Sequence, residues 1–441
     1  MNRPEIENVP IIKTEVPGPN SRLMLEKQRK LETRTVVYPD SFPIGIKRGT
    51  GSIIEDVDGN RYIDWMTGIS VLNLGYDQGI REAITDQLEK TWHALEIPTE
   101  VRLEFLEKLQ KSFPTGMKDY KTIFGISGAD SCETAINIAH SVSTKGKSTI
   151  GFEGAYHGVS GGIISATSGI KYKQTSFSQG FNVIRVPYPY QLWYKEDVSD
   201  IIAGMRKMVT DPEVGYDLPD SVIVEPIQGE GGYIVPPDGF LKAIREFCDD
   251  FDLAMIVDEV QSGMGRTGKM WAFEWESIQP DIVCVSKSIG GGVPMSLVYY
   301  RDDYDQKLQK PFHMGTYRAN PLAMAAGIYV LENVPKYLHR VVSDGNEIMR
   351  RFNKIDSKNI IEVRGKGFMI GVEMGTGGKP MATIEMSELK QGLLKSGLIM
   401  HTCGHFGNVF RYMGALNIPE ELNEIGIDIF SKVVSNGPGG K

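Results

Sequence analysis

From about residue 120 the chain alternates short apolar runs with stretches of helical spacing. Thr122–Gly125, Ser148–Phe152, Asn182–Val186, Ser221–Val224, Leu253–Val257, Asp281–Val285 and Met295–Tyr299 read as strands. Between two of them Phe240, Ile244, Phe247 and Phe251 recur at i, i+4, i+7 and i+11, one face of a helix. Strands that are apolar throughout and alternate with helices predict an α/β unit with a mostly parallel seven-stranded sheet covered on both faces. Upstream, Gly51–Asp56 and Arg61–Trp65 flank Val57-Asp-Gly-Asn60, where Asp58-Gly59 supplies the positive φ of a tight hairpin. The first ~45 residues are polar and interrupted by Pro10, Pro17, Pro19, Pro39 and Pro43, the pattern of an arm lying over other structure. After about residue 330 the chain becomes more charged, with helices and short strands, and reads as a smaller α+β domain. The expected organisation is an arm and hairpin over residues 1–75 (part of the small domain), a large domain over 76–330 and a C-terminal small domain over 331–441. The last six residues, from Asn436, are expected to fray.

Composition narrows the class. With 41 % hydrophobic and 24 % charged residues, the chain is an ordinary globular protein rather than a disordered or collagenous one. Its net charge of −8 offers no basic face for nucleic acid. The start, Met-Asn-Arg-Pro-Glu-Ile-Glu, has no basic segment followed by an apolar one, and no stretch of 18 uncharged apolar residues exists to span a membrane. Cys132, Cys248, Cys284 and Cys403 form no C-x-x-C pair and read as small buried apolar residues, so the expected compartment is the cytoplasm. Glycine is in excess, 49 of 441 residues, about 11 % against a usual ~7 %.

The candidate chemistry lies where the strands end, because ligands of a parallel sheet bind beyond its carboxyl edge. Ser221-Val-Ile-Val runs into Glu225, Leu253–Val257 into Asp258, and Asp281–Ser286 into Lys287, which Gly290-Gly-Gly292 follows. A lysine so placed is a carbonyl nucleophile able to form a Schiff base. Pyridoxal phosphate requires that lysine, an acid for its pyridine nitrogen and an anion site for its phosphate. Asp258 fits the acid, and the turn Gly125-Ile-Ser-Gly-Ala-Asp130, opening a helix, fits the anion site. Two other motifs carry less. Gly263-Met-Gly-Arg-Thr-Gly268 matches G-x-G-x-x-G, but Met270 stands where a P-loop needs Ser or Thr, and Asp258-Glu-Val-Gln-Ser separates it from its strand. His401-Thr-Cys-Gly-His405 has metal-like spacing without a second ligand cluster, so no metal is assigned.

Seven motifs in order resemble the class III, or ω-amino-acid, aminotransferases, pyridoxal-phosphate enzymes of fold type I. They are Gly68-Ile-Ser-Val-Leu-Asn-Leu-Gly75, Ser127-Gly-Ala-Asp130, Tyr156-His-Gly158, Glu225-Pro-Ile-Gln-Gly-Glu-Gly-Gly232, Asp258–Gly268, Ser286-Lys-Ser-Ile-Gly-Gly-Gly292 and Gly315-Thr-Tyr. The resemblance implies that Lys287 holds the cofactor and later shuttles the proton, with Asp258 on the pyridine nitrogen. It puts Gln261 near the phenolic oxygen, Gly128 and Ala129 at the phosphate, and Tyr156 and Val260 on the two faces of the ring. Thr316 would reach the phosphate of a neighbouring subunit in a homodimer or dimer of dimers, where the N-terminal arm would also pack. Arg411 would bind the α-carboxylate of glutamate and Glu230 would mask it when an ω-amine binds. Ile69 stands where the 4-aminobutyrate enzymes carry isoleucine. Those enzymes have an arginine after Tyr-His-Gly; here Val159 cannot make that charge-assisted pair. With Val186-Pro-Tyr-Pro-Tyr190, this resembles the 2,4-diaminobutyrate aminotransferases and the racemases of the same class. The expected activity is transfer of an amino group from an ω-amino or diamino acid to 2-oxoglutarate. A racemase of the same family, or a non-catalytic binding subunit of the same fold, are the alternatives. Glu225 is expected to anchor the loop before Gly229.

Overall fold

The computed structural model describes residues 9–173 and 180–437; the first eight residues of the arm and the last four of the expected frayed tail lie outside the described residues. The chain divides into two compact units, residues 79–339 and residues 1–78 with 340–441.

The 79–339 unit is built on seven strands: β1 (Lys121–Gly125), β2 (Ser148–Phe152), β3 (Asn182–Val186), β4 (Pro219–Val224), β5 (Ala254–Asp258), β6 (Ile282–Val285) and β7 (Ser296–Tyr300). Their order across the sheet is β1-β7-β6-β5-β4-β2-β3. Every residue of β2, β4, β5 and β6 is buried, which is what a sheet covered on both faces demands of its sequence. The exception to the parallel arrangement is β7, antiparallel to both β6 and β1. The cause is length: Ser286–Met295 is too short for a parallel crossover, which needs a dozen residues or more. Helix α1 (Gly128–Val142) follows β1 directly, its N-terminus capped by Ser127 Oγ, which accepts the Asp130 N–H at 3.2 Å. Ile136, Ile138 and Ala139 of α1 pack on Ile256, Ile282 and Val298 of the sheet. Helix α2 (Phe240–Asp250) buries Phe240, Ile244 and Phe247 as the spacing predicts, while Phe251 stands at its C-cap. Each such burial contributes about 1.5–3 kcal/mol.

In the other unit, residues 53–56 and 61–64 form the expected hairpin, with Glu55 opposite Arg61. Gly59 takes the left-handed conformation the turn requires, at φ +82°, and Asp58 does not. Asp58 does something else. Its carboxylate accepts the N–H groups of Asn20 and Ser21 at 2.7 and 2.8 Å and so caps a helix, Pro19–Leu31, inside the segment expected to be an arm over other structure. Leu398–Ile399 pairs parallel to Arg61–Asp64, and Val16, Phe42, Ile54 and Tyr62 share a core with Leu394 and Ile399. The N- and C-terminal stretches are therefore one α+β unit. A further antiparallel sheet runs through Ile360–Lys366, Met369–Thr376, Val409–Tyr412 and His401–Cys403.

Candidate active site

Because β1, β4, β5 and β6 run the same way, the residues that follow them meet at one edge. Glu225, Asp258, Lys287 and the β1–α1 turn surround a cavity of about 290 Å³. Gly128, Ala129, Tyr156, Glu230, Val260 and Gln261 line it as well. Lys287 opens a short helical turn with φ +49°, a strained value for a residue with a Cβ and one that tends to accumulate at functional sites. The ring of Tyr156 is met edge-on by Tyr172, centroids 5.0 Å apart. Gly128 and Ala129 are the first residues of α1, whose opening N–H groups have no carbonyl acceptor within the helix and add to its positive dipole end.

The electrostatics centre on Asp258. Its Oδ2 accepts from His157 Nδ1 at 2.7 Å and from Cys132 Sγ at 3.2 Å, and its Oδ1 accepts the Val260 N–H at 2.9 Å. Burial by itself raises a carboxyl, but the His157 hydrogen bond and charge override it and hold Asp258 below the usual range. His157 is fully enclosed; burial works to lower its pKa, and the Asp258 carboxylate more than reverses this, pushing it up to about 10. The two form a buried ion pair. Glu225 is a clamp: Oε1 accepts the Tyr156 N–H at 3.0 Å and Oε2 the Gly229 N–H at 2.9 Å, while burial pushes its carboxyl up. Sequence reading left His157 without a role although it stands beside Tyr156, and took Cys132 for an apolar filler. The available signal for Cys132 was its spacing, four residues after Gly128 on the same face of α1.

Three expected site residues do not line this cavity. Thr316 is exposed, its carbonyl 2.7 Å from His93 Nε2. Ile69 and Arg411 belong to the other unit. Ile69 sits in a run, Thr67–Ser70, in which every residue has positive φ, pinned by Asp64 Oδ1 accepting the N–H groups of Met66 and Thr67. Arg411 is buried on the strand Val409–Tyr412. Of the two discounted motifs, Gly263–Gly268 is a buried turn, closed by the Gly268 N–H on the Gly265 carbonyl, and the His401 ring packs edge-on against Tyr38 and Phe42.

The residues fit pyridoxal phosphate on structural grounds. A lysine, a buried acid and the open N-terminus of a helix share one cavity, and glycines keep its walls back. A Cβ on Gly128 would lie 2.9 Å from Val260 Cγ1; one on Gly158 would lie 2.4 Å from Ala129 Cβ. Gly158 also has φ +117°. Gly158→Ala is therefore expected to destabilise the protein by about 2–4 kcal/mol and to weaken cofactor retention. Thermal melts and equilibrium dialysis check this, and wild-type values in both would remove the constraint argued for this turn.

A mostly parallel seven-stranded sheet carrying this lysine, acid and helix N-terminus on its carboxyl edge defines a pyridoxal-phosphate-dependent transferase of fold type I. The family model "Aminotransferase class-III" matches residues 36–434. The chain belongs to the class III aminotransferases, and its cofactor is pyridoxal 5'-phosphate. It is 34 % identical over 426 residues, covering 91 % of this chain and 90 % of the relative, to a diaminobutyrate–2-oxoglutarate aminotransferase of Rhizobium meliloti. To a 4-aminobutyrate aminotransferase of Mycobacterium leprae it is 33 % identical, with 96 % and 97 % covered. An (S)-enantioselective omega-transaminase from Thermomicrobium roseum superimposes with a TM-score of 0.84 at 25 % identity, over 94 % of this chain and 98 % of that one. The chain is thus an aminotransferase acting on small amino and oxo acids. Among the described residues no helix is long and apolar enough to cross a membrane.

Proposed function

We propose that the enzyme moves the terminal amino group of an ω-amino or diamino acid, a diamino acid before others, onto 2-oxoglutarate. The observation that carries this is the cavity wall. Lys287 is its only lysine or arginine among the described residues, while Glu230 and the exposed, apolar Val159 also line it. A donor whose far end is a lone carboxylate finds no cation on this wall besides Lys287 among the described residues, whereas one with a second ammonium group finds the Glu230 carboxylate. The 34 % identity to a protein named for diaminobutyrate supports the same choice.

Bound pyridoxal phosphate supplies a carbonyl for the substrate amine and a protonated ring that takes up the electron pair of the breaking Cα–H bond. Lys287 Nζ takes that proton and returns it as general base and acid. Asp258 keeps the proton on the ring nitrogen, and His157 keeps Asp258 ionised. Gly128 and Ala129 would hold the phosphate, Tyr156 and Val260 would lie on the two faces of the ring, and Gln261 would lie near the phenolic oxygen. Arg411 is proposed for the α-carboxylate of the oxo acid, with Glu230 as its mask and Ile69 beside the substrate. Thr316 is proposed to act on the neighbouring subunit of a homodimer. This is supported by the exposed apolar side chains Trp92, Ile97, Leu103, Met314 and Tyr317 and by the contact of segments 92–93 and 316–320. Four free, buried cysteines support a reducing, cytoplasmic setting.

The test is a panel of amino donors incubated with and without 2-oxoglutarate, reading glutamate formation and optical rotation together. The expected result is glutamate formed fastest with diamino acids. Loss of rotation without an acceptor would replace the reading by racemisation, and fastest turnover with 4-aminobutyrate would move the donor preference to monoamines.

A further inference from the structure

Cys132 stands on the second turn of α1, fully buried, with Sγ 3.2 Å from Asp258 Oδ2. That helix also opens with Gly128 and Ala129 on the cavity wall. One rigid element therefore carries both the N–H groups at the helix N-terminus and a donor to the acid beneath the cavity. The thiol and His157 Nδ1 load the same oxygen, Oδ2, while Oδ1 accepts the Val260 N–H and is the less encumbered end among the described residues.

We propose that Cys132 is a positioning residue of the cofactor site, whose thiol fixes the orientation of Asp258 and tempers its charge. In doing so it sets how strongly the ring nitrogen holds its proton. The inference rests on the reading of Asp258 as the partner of that nitrogen. A thiol suits the task because it donates weakly, so it trims the charge of a carboxylate that His157 already balances. It is also constant. Burial first, and then the neighbouring Cys284 and Asp258, push the Cys132 thiol well above its ordinary range, so it remains a neutral donor at any working pH. The other titratable groups about Asp258 are His157 after β2, Glu225 after β4, Cys284 on β6 and Lys287 after β6. All of them are shared by variants that differ only at position 132.

The experiment compares holoenzymes of wild type, Cys132→Ser, Cys132→Ala and Cys132→Val. The visible absorption of the lysine-bound cofactor is titrated against pH, and cofactor affinity is measured by equilibrium dialysis. Without the donor, the Asp258 charge is less shared and supports positive charge on the cofactor more strongly. The midpoint in Ala and Val is expected to rise by about 0.3–0.8 pH unit, and Ser to restore it. Val fills the space with an apolar side chain one heavy atom larger than Cys and carries the test if Ala leaves an unstable cavity. Wild-type midpoints in both Ala and Val would overturn the proposal, as would a Ser variant that tracks Ala, which would make the effect one of packing. A wild-type protein without the absorption band of the lysine-bound cofactor, or a Lys287→Ala protein that keeps that band, would instead overturn the reading of the site on which the proposal rests.

Discussion

Lys287→Ala is expected to lower kcat by at least about 10⁴-fold while leaving the fold intact. The size follows from the number of tasks joined in one nitrogen. Lys287 is the covalent attachment point and the group that moves the proton, and each alone is worth orders of magnitude. No other lysine or arginine lines the cavity among the described residues, so nothing is placed to take over. The fold is insulated from the change because alanine tolerates φ +49° no worse than lysine does, and the turn is held by backbone hydrogen bonds, such as the Gly291 N–H on the Ser288 carbonyl at 3.0 Å. Asp258, Tyr156 and the N-terminus of α1 remain, so the variant is expected to retain cofactor without a covalent link. Turnover measured beside a thermal melt separates the two effects. After borohydride reduction, mass spectrometry should find the cofactor on the Lys287 peptide of the wild type and on no peptide of the variant. Undiminished turnover in the variant would sink the assignment.

The strands, the hairpin and the strand-end residues were legible because burial writes itself directly into sequence. A strand covered on both faces is mostly apolar, and the first charged residue after its apolar run marks the open edge of the sheet; Glu225, Asp258 and Lys287 were found that way. What remained hidden depends on residues far apart in the chain. The partners of Asp258 lie 101 and 126 positions away, on elements that only the strand order brings beside it. A histidine and a cysteine seen singly carry no sign of which carboxylate they will meet. The direction of β7 was missed because apolar pattern is blind to strand sense, although the ten-residue Ser286–Met295 connection held the information. The helix in the N-terminal arm was missed because its cap, Asp58, comes from the hairpin turn rather than from its own flank. Of 22 glycines with positive φ among the described residues, Gly158 lines the cavity and most of the others close ordinary turns. Composition marked a chain rich in left-handed turns more than it marked the site.

Asp258→Asn is expected to cost on the order of 10³-fold in kcat and, separately, to give the protein a new pH dependence of stability. The kinetic loss comes from replacing an anion by a neutral amide where a proton must be held on the cofactor. The stability effect comes from His157. In the wild type the carboxylate raises the His157 pKa to about 10, so the pair's contribution is full below about pH 6.5 and is lost as pH rises towards 10. Asp258 itself is held low, so its contribution is lost only as pH falls below about 4. With asparagine the carboxylate is gone and burial alone acts on an imidazole that is fully enclosed, driving its pKa below 6.5. The unfolded chain then binds the proton more readily than the folded one, and stability falls as pH is lowered through this range. Near pH 5.5 the deficit should approach the roughly 3–5 kcal/mol of an unpaired buried charge, and it should shrink as pH rises towards 9. Melting temperatures of both proteins from pH 5 to 9 test this. A deficit that is the same at pH 5.5 and pH 8.5 would mean that His157 is neutral in the wild type, and the buried ion pair would give way to a neutral hydrogen bond.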